Sequence, residues 1–401
     1  MKANTINKLI DRTSWTWYIL TVVYLLYLGQ STFFPSLAIV GQLLIFLILF
    51  VGLINLIRSL RNYTSIPNCE KLIILMLVIL TLTYVISPKM IICSWLPFPI
   101  ITLNQFKQMV AFFLPIFTGY QIGLHKRLTS KQWFVISIIL LILAINSFLI
   151  SKQQALILRG QEESTNNSAY IFLYILPFLP LILNKYRIMA FTILAICFIF
   201  VMLGAKRGAI VCMGFMILYL MWWYLKRKRV SLGTIIAILV VIAALIIGLN
   251  YFFTTDDYLQ TRLEQTIEGN SSHRDVLYSM LWEEWLDADL STQLFGRGIA
   301  QTITVVGNYA HNDWLELLTD VGLFGAVVYL MIIVSLLKFR KKFHKNSPEQ
   351  AAFTVVILFW FLKTIFSMGM EIMGGISMML LGTLIGNVFF NSNSVLHRDH
   401  R

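Results

Sequence analysis

Tyr309–Leu337 reads YAHNDWLELLTDVGLFGAVVYLMIIVSLL, a cluster of ionisable residues that runs directly into an apolar segment. The part from 314 to 337 is 24 residues long, and about twenty apolar residues suffice for a helix to cross the hydrocarbon core of a bilayer. Ionisable side chains such as Glu316 and Asp320 are costly to place near lipid and usually face a cavity, where they serve a function. The stretch therefore predicts a membrane helix with a candidate site at its N-terminal end.

Apolar segments of similar length recur along the whole chain. Of its 401 residues, 58% are hydrophobic and 13% are charged, a composition that excludes an ordinary soluble globule. The segments are continuously apolar rather than alternating, so they predict helices and not the strands of a membrane barrel. We predict an all-α integral membrane protein of about twelve transmembrane helices, at 15–34, 36–57, 71–87, 106–124, 133–150, 169–184, 188–204, 208–225, 231–253, 314–337, 351–368 and 371–390.

The longest polar stretch divides the chain into three parts of one integrated domain. Residues 1–253 are predicted to hold helices 1–9, residues 254–313 to form a long loop, and residues 314–401 to hold helices 10–12 and a tail. The first apolar run has no small-x-small cleavage site, so we interpret it as an uncleaved anchor rather than a signal peptide. The four cysteines show no paired or metal-like spacing, so neither a disulfide framework nor a zinc site is predicted.

The basic residues behind the net charge of +13 are distributed as in a membrane protein rather than on a nucleic-acid-binding surface. With the N-terminus inside, alternate loops collect 22 of the 32 basic residues, as expected where Lys and Arg stay on the cytoplasmic side. This distribution predicts cytoplasmic termini and an external loop 254–313, and nucleic acid is not expected as a partner because no basic, aromatic-interleaved soluble face is present. The biased residues are Lys2, Lys8, Arg12, Arg58, Arg61, Lys71, Lys126, Arg127, Lys131, Lys185, Arg187, Lys226, Arg227, Lys228, Arg229, Lys338, Arg340, Lys341, Lys342, Lys345, Arg398 and Arg401.

A short basic turn on the external side contradicts that orientation bias. Lys206 and Arg207 lie in the sequence GAKRGA, between two predicted spans that have almost no loop between them. A guanidinium there is suited to bidentate phosphate binding, and the flanking glycines let another group approach the backbone. The alternative is a snorkelling arginine that contacts lipid headgroups.

A second candidate cation opens a predicted helix in the long loop. Ser272 and Asp275 have the spacing of a capping box around Arg274. Apolar residues then recur at helical intervals, which predicts an amphipathic helix for the membrane surface or a neighbouring span. A cation in the first turn opposes the helix dipole, which is reasonable if an anion binds there. The alternative is an ion pair with Asp275 or a nearby acid.

Two shorter motifs follow this predicted helix. Asp287 and Asp289 match the Asp-x-Asp pattern that holds a divalent metal on nucleotide-sugar diphosphates, but they lie at the polar end of the helix and the pattern is common by chance. We therefore predict no metal and no cofactor. The FGRG sequence at 295–298 predicts a tight turn that could present backbone amides and Arg297 to a ligand, although it lacks the longer glycine spacing of phosphate loops.

His311 is the strongest catalytic candidate in the sequence. Histidine has the pKa that a general base needs at neutral pH, and this one precedes a predicted span, where a substrate in lipid can reach it. Asn312 and Asp313 could orient the ring or the acceptor, and Glu316 is a further supporting residue. The alternative is a structural histidine that caps the tenth helix.

Taken together, these elements resemble the O-antigen ligase and O-antigen polymerase family of bacterial envelope glycosyltransferases. The matching features are the Arg-Gly-Ala turn at Arg207, the segment from Arg274 to Trp282, the FGRG turn, and HNDWLELLTDVGLFG at 311–325. A twelve-helix, GT-C-like body with a long periplasmic loop before the His-Asn element fits as well. The specific motifs lie within 204–325, and their order and common side of the membrane carry the resemblance.

The resemblance implies transfer of a glycan from undecaprenyl pyrophosphate to a sugar hydroxyl at the periplasmic face of the bacterial inner membrane. The reaction would be inverting and metal-independent. Arg207 and Arg274, with Arg297 and Lys206 as further candidates, would bind the pyrophosphate and stabilise its charge as it leaves. His311 would accept the proton of the acceptor hydroxyl, and no role is assigned to Asp313.

Two questions stay open at the level of sequence. The acceptor is a lipid-linked repeat unit in a polymerase and the lipid A core in a ligase, and we favour the polymerase because each polysaccharide tends to need its own. A flippase or transporter of lipid-linked sugars would also have about twelve helices, but transporters usually show internal repeats and polar residues at the bilayer midplane. Here the polar residues gather at the external ends of the spans.

Overall fold

The computed structural model describes Ile19, Val23 and residues 38–92, 99–125, 127–159, 167–227 and 274–396. The predicted spans 15–34 and 231–253 therefore lie almost entirely outside the described residues. The same holds for residues 254–273, which include the predicted cap residue Ser272. The architecture below is that of the described ranges.

The described residues are helical apart from one small hairpin. Its strands, β1 (Met90–Ile91) and β2 (Ile100–Ile101), are antiparallel, with Met90 opposite Ile101. The helices are α1 (Ala38–Leu60), α2 (Asn68–Ile86), α3 (Thr102–Phe113), α4 (Pro115–His125), α5 (Ser130–Arg159), α6 (Ala169–Leu173), α7 (Leu179–Ile182), α8 (Arg187–Leu203), α9 (Arg207–Arg227), α10 (Arg274–Leu286), α11 (Leu290–Phe295), α12 (Thr302–Val306), α13 (Asp313–Asp320), α14 (Gly322–Phe339), α15 (Pro348–Phe366) and α16 (Gly374–Leu396), with single 3-10 turns at Leu176–Phe178 and Arg340–Lys342.

Six of these segments are long and apolar enough to cross a membrane. They are Ile39–Leu60, Asn68–Ile86, Ser130–Gln153, Arg207–Arg227, Gly322–Lys342 and Pro348–Phe366. Large apolar side chains on their outer surfaces are exposed, as with Leu43 and Phe46 at 60% and 63%, which is the expected surface of a helix that contacts lipid tails. The all-α membrane class is thereby confirmed, while the count of twelve spans stays a prediction.

Prolines divide two of the predicted spans into shorter helices. The run 106–124 is split into α3 and α4, where Pro115 begins the second helix. The run 169–184 becomes α6, a 3-10 turn and α7, with Pro177 and Pro180 at the starts of the last two elements. Proline has no N–H to donate and clashes with the preceding turn, so each of these helices restarts at or near its proline.

The centre of the bundle contains an unusually close helix crossing between α4 and α16. A Cβ on Gly119 would lie 1.9 Å from the carbonyl oxygen of Met379, and one on Gly382 would lie 1.9 Å from that of Ile116. Gly123 and Gly386 lie one turn further along, where a Cβ would be 2.2 Å from the carbonyl oxygen of Thr383 and 2.4 Å from that of Tyr120. This is small-xxx-small packing from both partners, in which glycine lets two membrane helices approach to backbone contact.

The turn Gly296–Gly298 binds to the C-terminal end of α13, and we call this contact the glycine seat. The N–H groups of Arg297 and Gly298 donate to the carbonyl oxygens of Thr319 and Asp320, both at 2.9 Å. Gly296 and Gly322 have positive φ angles of 76° and 78°. A Cβ on Gly296 would lie 2.4 Å from the carbonyl carbon and oxygen of Asp320. A Cβ on Gly322 would lie 2.4 Å from the carbonyl oxygen of Leu294.

The predicted tenth span at 314–337 is wrong in one respect, because it is two helices. The short helix α13 ends at Asp320, and the long helix α14 begins at Gly322. The left-handed conformation of Gly322 produces the break, and glycine adopts that conformation without steric cost. Glu316 and Asp320 therefore lie on a separate short helix that precedes the membrane-length segment.

Candidate functional site

The backbone at His311 is held in a strained conformation by the start of α13. His311 has a φ of +54°, which is uncommon for a residue other than glycine and carries a cost of about 1–3 kcal/mol. Its N–H donates to Glu316 Oε1 at 3.1 Å, while Asn312 Oδ1 accepts from the N–H groups of Trp314 and Leu315 at 3.0 and 3.3 Å. Asn312 is thus the N-cap of α13, and Glu316 fixes the residue that precedes the cap.

Two cations lie near the His311 ring. Partial burial is the main reason why the pKa of His311 is lowered to about 4, and the positive charges of Arg274 and then Lys206 lower it further. A lowered pKa means that the imidazole stays neutral at physiological pH, because protonation would place a third positive charge in this space. The structure therefore brings together the three predicted site residues His311, Arg274 and Lys206.

Arg274 begins α10, as predicted, and its guanidinium extends to the end of another helix. Its Nη1 donates to the carbonyl oxygen of Phe366 at 2.9 Å, at the C-terminus of α15, where the helix dipole favours a cation. α10 in turn packs against α12 and α13. This packing places the first turn of α10 beside His311. The predicted capping residue Ser272 lies outside the described residues.

Arg207 begins α9, and its neighbour Gly208 marks a close approach to two other elements. A Cβ on Gly208 would lie 2.2 Å from the Tyr170 hydroxyl and 2.9 Å from Phe366 Cβ. Because Phe366 also accepts from Arg274, the two predicted clamp residues start from elements that meet at the same point. Lys206 and Arg207 both have interaction partners within the protein.

Arg297 is positioned differently from the other predicted cations. Its guanidinium forms an ion pair with Glu284 of α10, and both side chains are partly exposed. Its backbone belongs to the glycine seat, where the N–H donates to Thr319. The FGRG motif thus forms the predicted tight turn, but in this structure the turn receives the end of α13.

Asp313 contacts structural groups rather than the histidine ring. Its side chain is only 2% exposed. Oδ2 accepts from the Tyr329 hydroxyl and Oδ1 from the Gly369 N–H, each at 2.7 Å. Trp360 Nε1 donates to the same Tyr329 hydroxyl at 2.8 Å. Both carboxylate oxygens therefore link α13 to α14 and to the turn after α15, and Asn312 likewise uses its side-chain oxygen as a helix cap.

The second aspartate of the Asp-x-Asp motif, Asp289, caps a helix. Asp289 is the N-cap of α11, and its carboxylate accepts from the N–H groups and hydroxyls of Ser291 and Thr292. These hydrogen bonds lower the pKa of Asp289 to about 2. Among the described residues, no group of three or more His, Cys, Asp or Glu is placed to hold a metal ion.

Sequence reasoning missed a buried polar cluster on the α15 side of the site. Lys363 is 2% exposed and forms an ion pair with Glu371. The Tyr174 hydroxyl donates to Glu371 at 2.8 Å and lies 3.1 Å from Lys363 Nζ, and the Lys363 ammonium also lies 5.2 Å from the centre of the Tyr170 ring. The available signal was Lys363 itself, a lysine inside an apolar segment, but its partners come from distant parts of the chain.

The site combines a proton acceptor with fixed positive charge. A neutral imidazole can accept a proton, and the adjacent Arg and Lys side chains provide fixed positive charge for an anion. The site lies at the start of α9 and the end of α15, whereas Lys226 and Arg227 are the last residues of α9 and Arg340–Lys342 follows the C-terminal end of α14. The site and the main basic surface are therefore at opposite ends of the bundle.

Comparison with protein families gives a match to the part of the chain that contains this site. No curated protein matches the chain. A family model described as O-antigen ligase matches residues 192–330, a range that contains Lys206, Arg207, Arg274 and His311. The match confirms the resemblance that the motifs between 204 and 325 carry, and over this region the chain is similar to the O-antigen ligase family.

Proposed function

We propose that the protein is an inverting, metal-independent glycosyltransferase that transfers a glycan from undecaprenyl pyrophosphate to a sugar hydroxyl. The observation that carries the proposal is the proximity of Arg274 and Lys206 to His311, since their positive charges add to burial in lowering the pKa of this histidine. A proton acceptor beside fixed positive charge is what attack by a hydroxyl on a lipid pyrophosphate donor requires. The family match at residues 192–330 supports the same class of reaction.

Each step of the transfer has a candidate group in the site. The acceptor oxygen attacks the anomeric carbon from the face opposite the pyrophosphate while His311 takes its proton. The bond between that carbon and the pyrophosphate oxygen breaks, and the electron pair leaves with undecaprenyl pyrophosphate. Arg274, Arg207 and Lys206 stabilise the negative charge that accumulates on the leaving group. Arg297 could serve the pyrophosphate only by leaving its ion pair with Glu284.

The site can work without a divalent metal because guanidinium and ammonium groups supply the positive charge. Asp289 is occupied as a helix cap, and Asp313 is occupied by Tyr329 and Gly369. Within the described ranges these carboxylates support helices rather than a cation site. We therefore propose that activity needs no metal or other cofactor.

The proposed location is the periplasmic face of the bacterial inner membrane, with both termini in the cytoplasm. The basic clusters that end α9 and follow α14 lie at the end of the bundle away from the site, and such clusters stay in the cytoplasm. Labelling of single cysteines introduced at positions 58 and 297 from each side of the membrane tests this orientation. Access to position 297 only from the cytoplasm would be incompatible with a periplasmic site.

The acceptor we favour is another lipid-linked repeat unit, so that the protein acts as a surface-polysaccharide polymerase. The alternative is a ligase that transfers the glycan to the lipid A core, and the description of the matching family names that activity. A flippase of lipid-linked sugars is the less favoured function, because four of the five buried charged residues among those described, Asp313, Glu316, Asp320 and Lys363, lie at the site end of the bundle, and Glu70 lies at the other end. Products distinguish these functions: longer lipid-linked chains, glycosylated lipid A core, or unchanged glycan moved across the bilayer.

The decisive experiment compares His311→Ala with wild-type protein in lipid nanodiscs that contain a lipid-linked oligosaccharide donor and each candidate acceptor. Loss of the base should reduce transfer by a factor of about 100–10,000, while donor binding, measured by photo-crosslinking, should persist because the cations remain. His344→Ala is the matched control, since His344 follows α14 at the other end of the bundle. Transfer by His311→Ala at the wild-type rate would show that the base lies elsewhere.

A further inference from the structure

We propose that the Tyr170 hydroxyl is an additional hydrogen-bond donor to the pyrophosphate of the lipid-linked donor, between the elements that carry Arg207 and Arg274. This inference rests on the proposed function, and it assigns a role to a residue of α6 that lies outside the family match. The observations behind it are an unsatisfied hydroxyl, its position, and a cation beneath its ring.

The Tyr170 hydroxyl is a buried polar group without a partner among the described residues. The residue is 4% exposed, and its oxygen forms no hydrogen bond. The Ser367 side chain lies near it without reaching an acceptable hydrogen-bond geometry. A buried hydroxyl without a partner is rare and unfavourable, so it calls for a physical explanation such as a ligand that is bound during function.

The position of the hydroxyl connects it to both predicted clamp arginines. It touches Gly208, the residue after Arg207, at the first turn of α9. Gly208 also touches Phe366, whose carbonyl accepts from Arg274, and Arg274 is close enough for its charge to act on the phenol. The hydroxyl is therefore at the meeting point of the two elements proposed to hold the pyrophosphate.

Arg274 can contact the same ligand as the hydroxyl. Its guanidinium is bound to an uncharged carbonyl oxygen, and hydrogen bonds from arginine to phosphate are about twice as strong as those to neutral acceptors. A pyrophosphate in the site would draw the half-buried Arg274 side chain away from Phe366 and toward itself. Arg274 and the phenol could then donate to the same phosphate group.

Lys363 places a positive charge at the face of the Tyr170 ring. Its ammonium lies 5.2 Å from the centre of the Tyr170 ring, and a cation at the face of an aromatic ring interacts with its electron density. The lysine is itself paired with Glu371, so it acts on the ring without competing for the ligand. Gly208 contributes by lacking a side chain, because a Cβ there would occupy the space of the hydroxyl.

The phosphate, rather than a sugar hydroxyl, is the acceptor that this environment favours. The positive charge of Arg274 acts on the phenol, and the Lys363 ammonium lies at the face of its ring. An O–H group beside such charges is best satisfied by an anionic oxygen, since charge-assisted hydrogen bonds are the stronger kind. Sugar hydroxyls are neutral and would not compensate the charge of Arg274.

The test is Tyr170→Phe, which removes one oxygen and leaves the packing of the ring unchanged. Binding of undecaprenyl pyrophosphate to the full-length protein in nanodiscs should weaken about 10-fold to 100-fold, as expected for loss of a hydrogen bond to a charged group. The Tm of the ligand-free protein should not fall, because the hydroxyl has no partner to lose. Tyr120→Phe is the matched control: Tyr120 is also 4% exposed, but it packs against Phe389 at the other end of α16, and its removal should leave affinity unchanged.

Equal affinity of Tyr170→Phe and wild-type protein for undecaprenyl pyrophosphate would overturn the inference. A lower Tm of the ligand-free variant with unchanged affinity would also overturn it, since the hydroxyl would then be structural. Transfer is measured in parallel to separate this inference from the proposed function. Normal transfer by Tyr170→Phe at low donor concentration refutes the Tyr170 contact alone, whereas a wild-type protein that binds the lipid pyrophosphate but transfers no glycan refutes the function alone.

Discussion

Replacing Arg274 with Gln should raise the pKa of His311 in the free protein. The pKa is lowered from its ordinary value of 6.5 to about 4 by burial, then by Arg274, then by Lys206. Removing the guanidinium charge takes away one of the two cations that oppose protonation of the imidazole. The variant should therefore bind a proton to His311 at a higher pH than the wild type.

The size of the change is bounded by the order of these causes. The interval between 6.5 and about 4 is about 2.5 units, and burial, the largest cause, remains in the variant. Arg274 is the second cause, so it can account for at most about half of the interval, and this bounds the rise in the pKa of His311 in Arg274→Gln. At pH 5 the wild-type imidazole is about nine-tenths neutral, and the neutral fraction in the variant should be smaller.

The measurement is the rate at which diethyl pyrocarbonate modifies His311 between pH 4 and pH 8, followed by mass spectrometry of the peptide. This reagent reacts with the neutral imidazole, so the midpoint of the rate profile reports the pKa without any need for transfer activity. Arg297→Gln is the control, because Arg297 is paired with Glu284 and does not act on His311. Its profile should match the wild type.

A wild-type midpoint near pH 6.5 would refute the described surroundings of His311, and identical midpoints for the wild type and Arg274→Gln would refute the role of Arg274 in them. The same reasoning applies to catalysis. A bound pyrophosphate would neutralise the cations, so His311 should have a higher pKa in the donor complex. The acid limb of kcat should therefore lie at a higher pH than that of kcat/KM, since the former reports the complex and the latter the free enzyme.

Three further outcomes follow from the geometry. Gly119→Leu should destabilise the bundle by about 1–3 kcal/mol or more, seen as a lower Tm, because its side chain would meet the backbone of α16; Gly214→Leu should not, since a Cβ there meets nothing within 4 Å. Arg207→Lys should reduce transfer by a factor of about 100–1000 at normal protein abundance, because lysine lacks the bidentate fork. Activity should persist in EDTA and in the double variant Asp287→Ala with Asp289→Ala, and complete loss restored by magnesium or manganese would contradict metal independence.

The helices were largely predictable from the sequence because lipid imposes a simple requirement. A continuous apolar segment must satisfy its backbone groups internally, so α1, α2 and α14 follow from composition. Their interruptions were less predictable. Pro115 and Gly322 are visible in the sequence, but membrane helices tolerate both residue types when neighbours satisfy the freed groups, and only the surrounding packing decides whether the helix continues.

The close crossing of α4 and α16 has a sequence signal that did not enter the prediction. Gly119 and Gly123 have the spacing of a small-xxx-small motif, and so do Gly382 and Gly386. Each motif alone is common in membrane helices, and its partner cannot be inferred from one chain. The structure pairs the two motifs across more than half of the chain.

The site was predictable where the determinants are local. The Asn312 cap follows from the polar residue before a helix, and the start of α10 at Arg274 follows from the apolar periodicity after it. The contact between Arg274 and Phe366 joins residues 92 positions apart, and that between Lys363 and Tyr174 joins residues 189 apart. Such contacts depend on how helices pack, which local pattern does not specify.

The glycine seat has a consequence for how relatives of this protein can diverge. The turn at 296–298 grips the end of α13, and α10 packs against the same helix, so Arg274 and His311 are tied together downstream of residue 273. A relative that lacks the glycine seat would therefore need other contacts to hold Arg274 and His311 together.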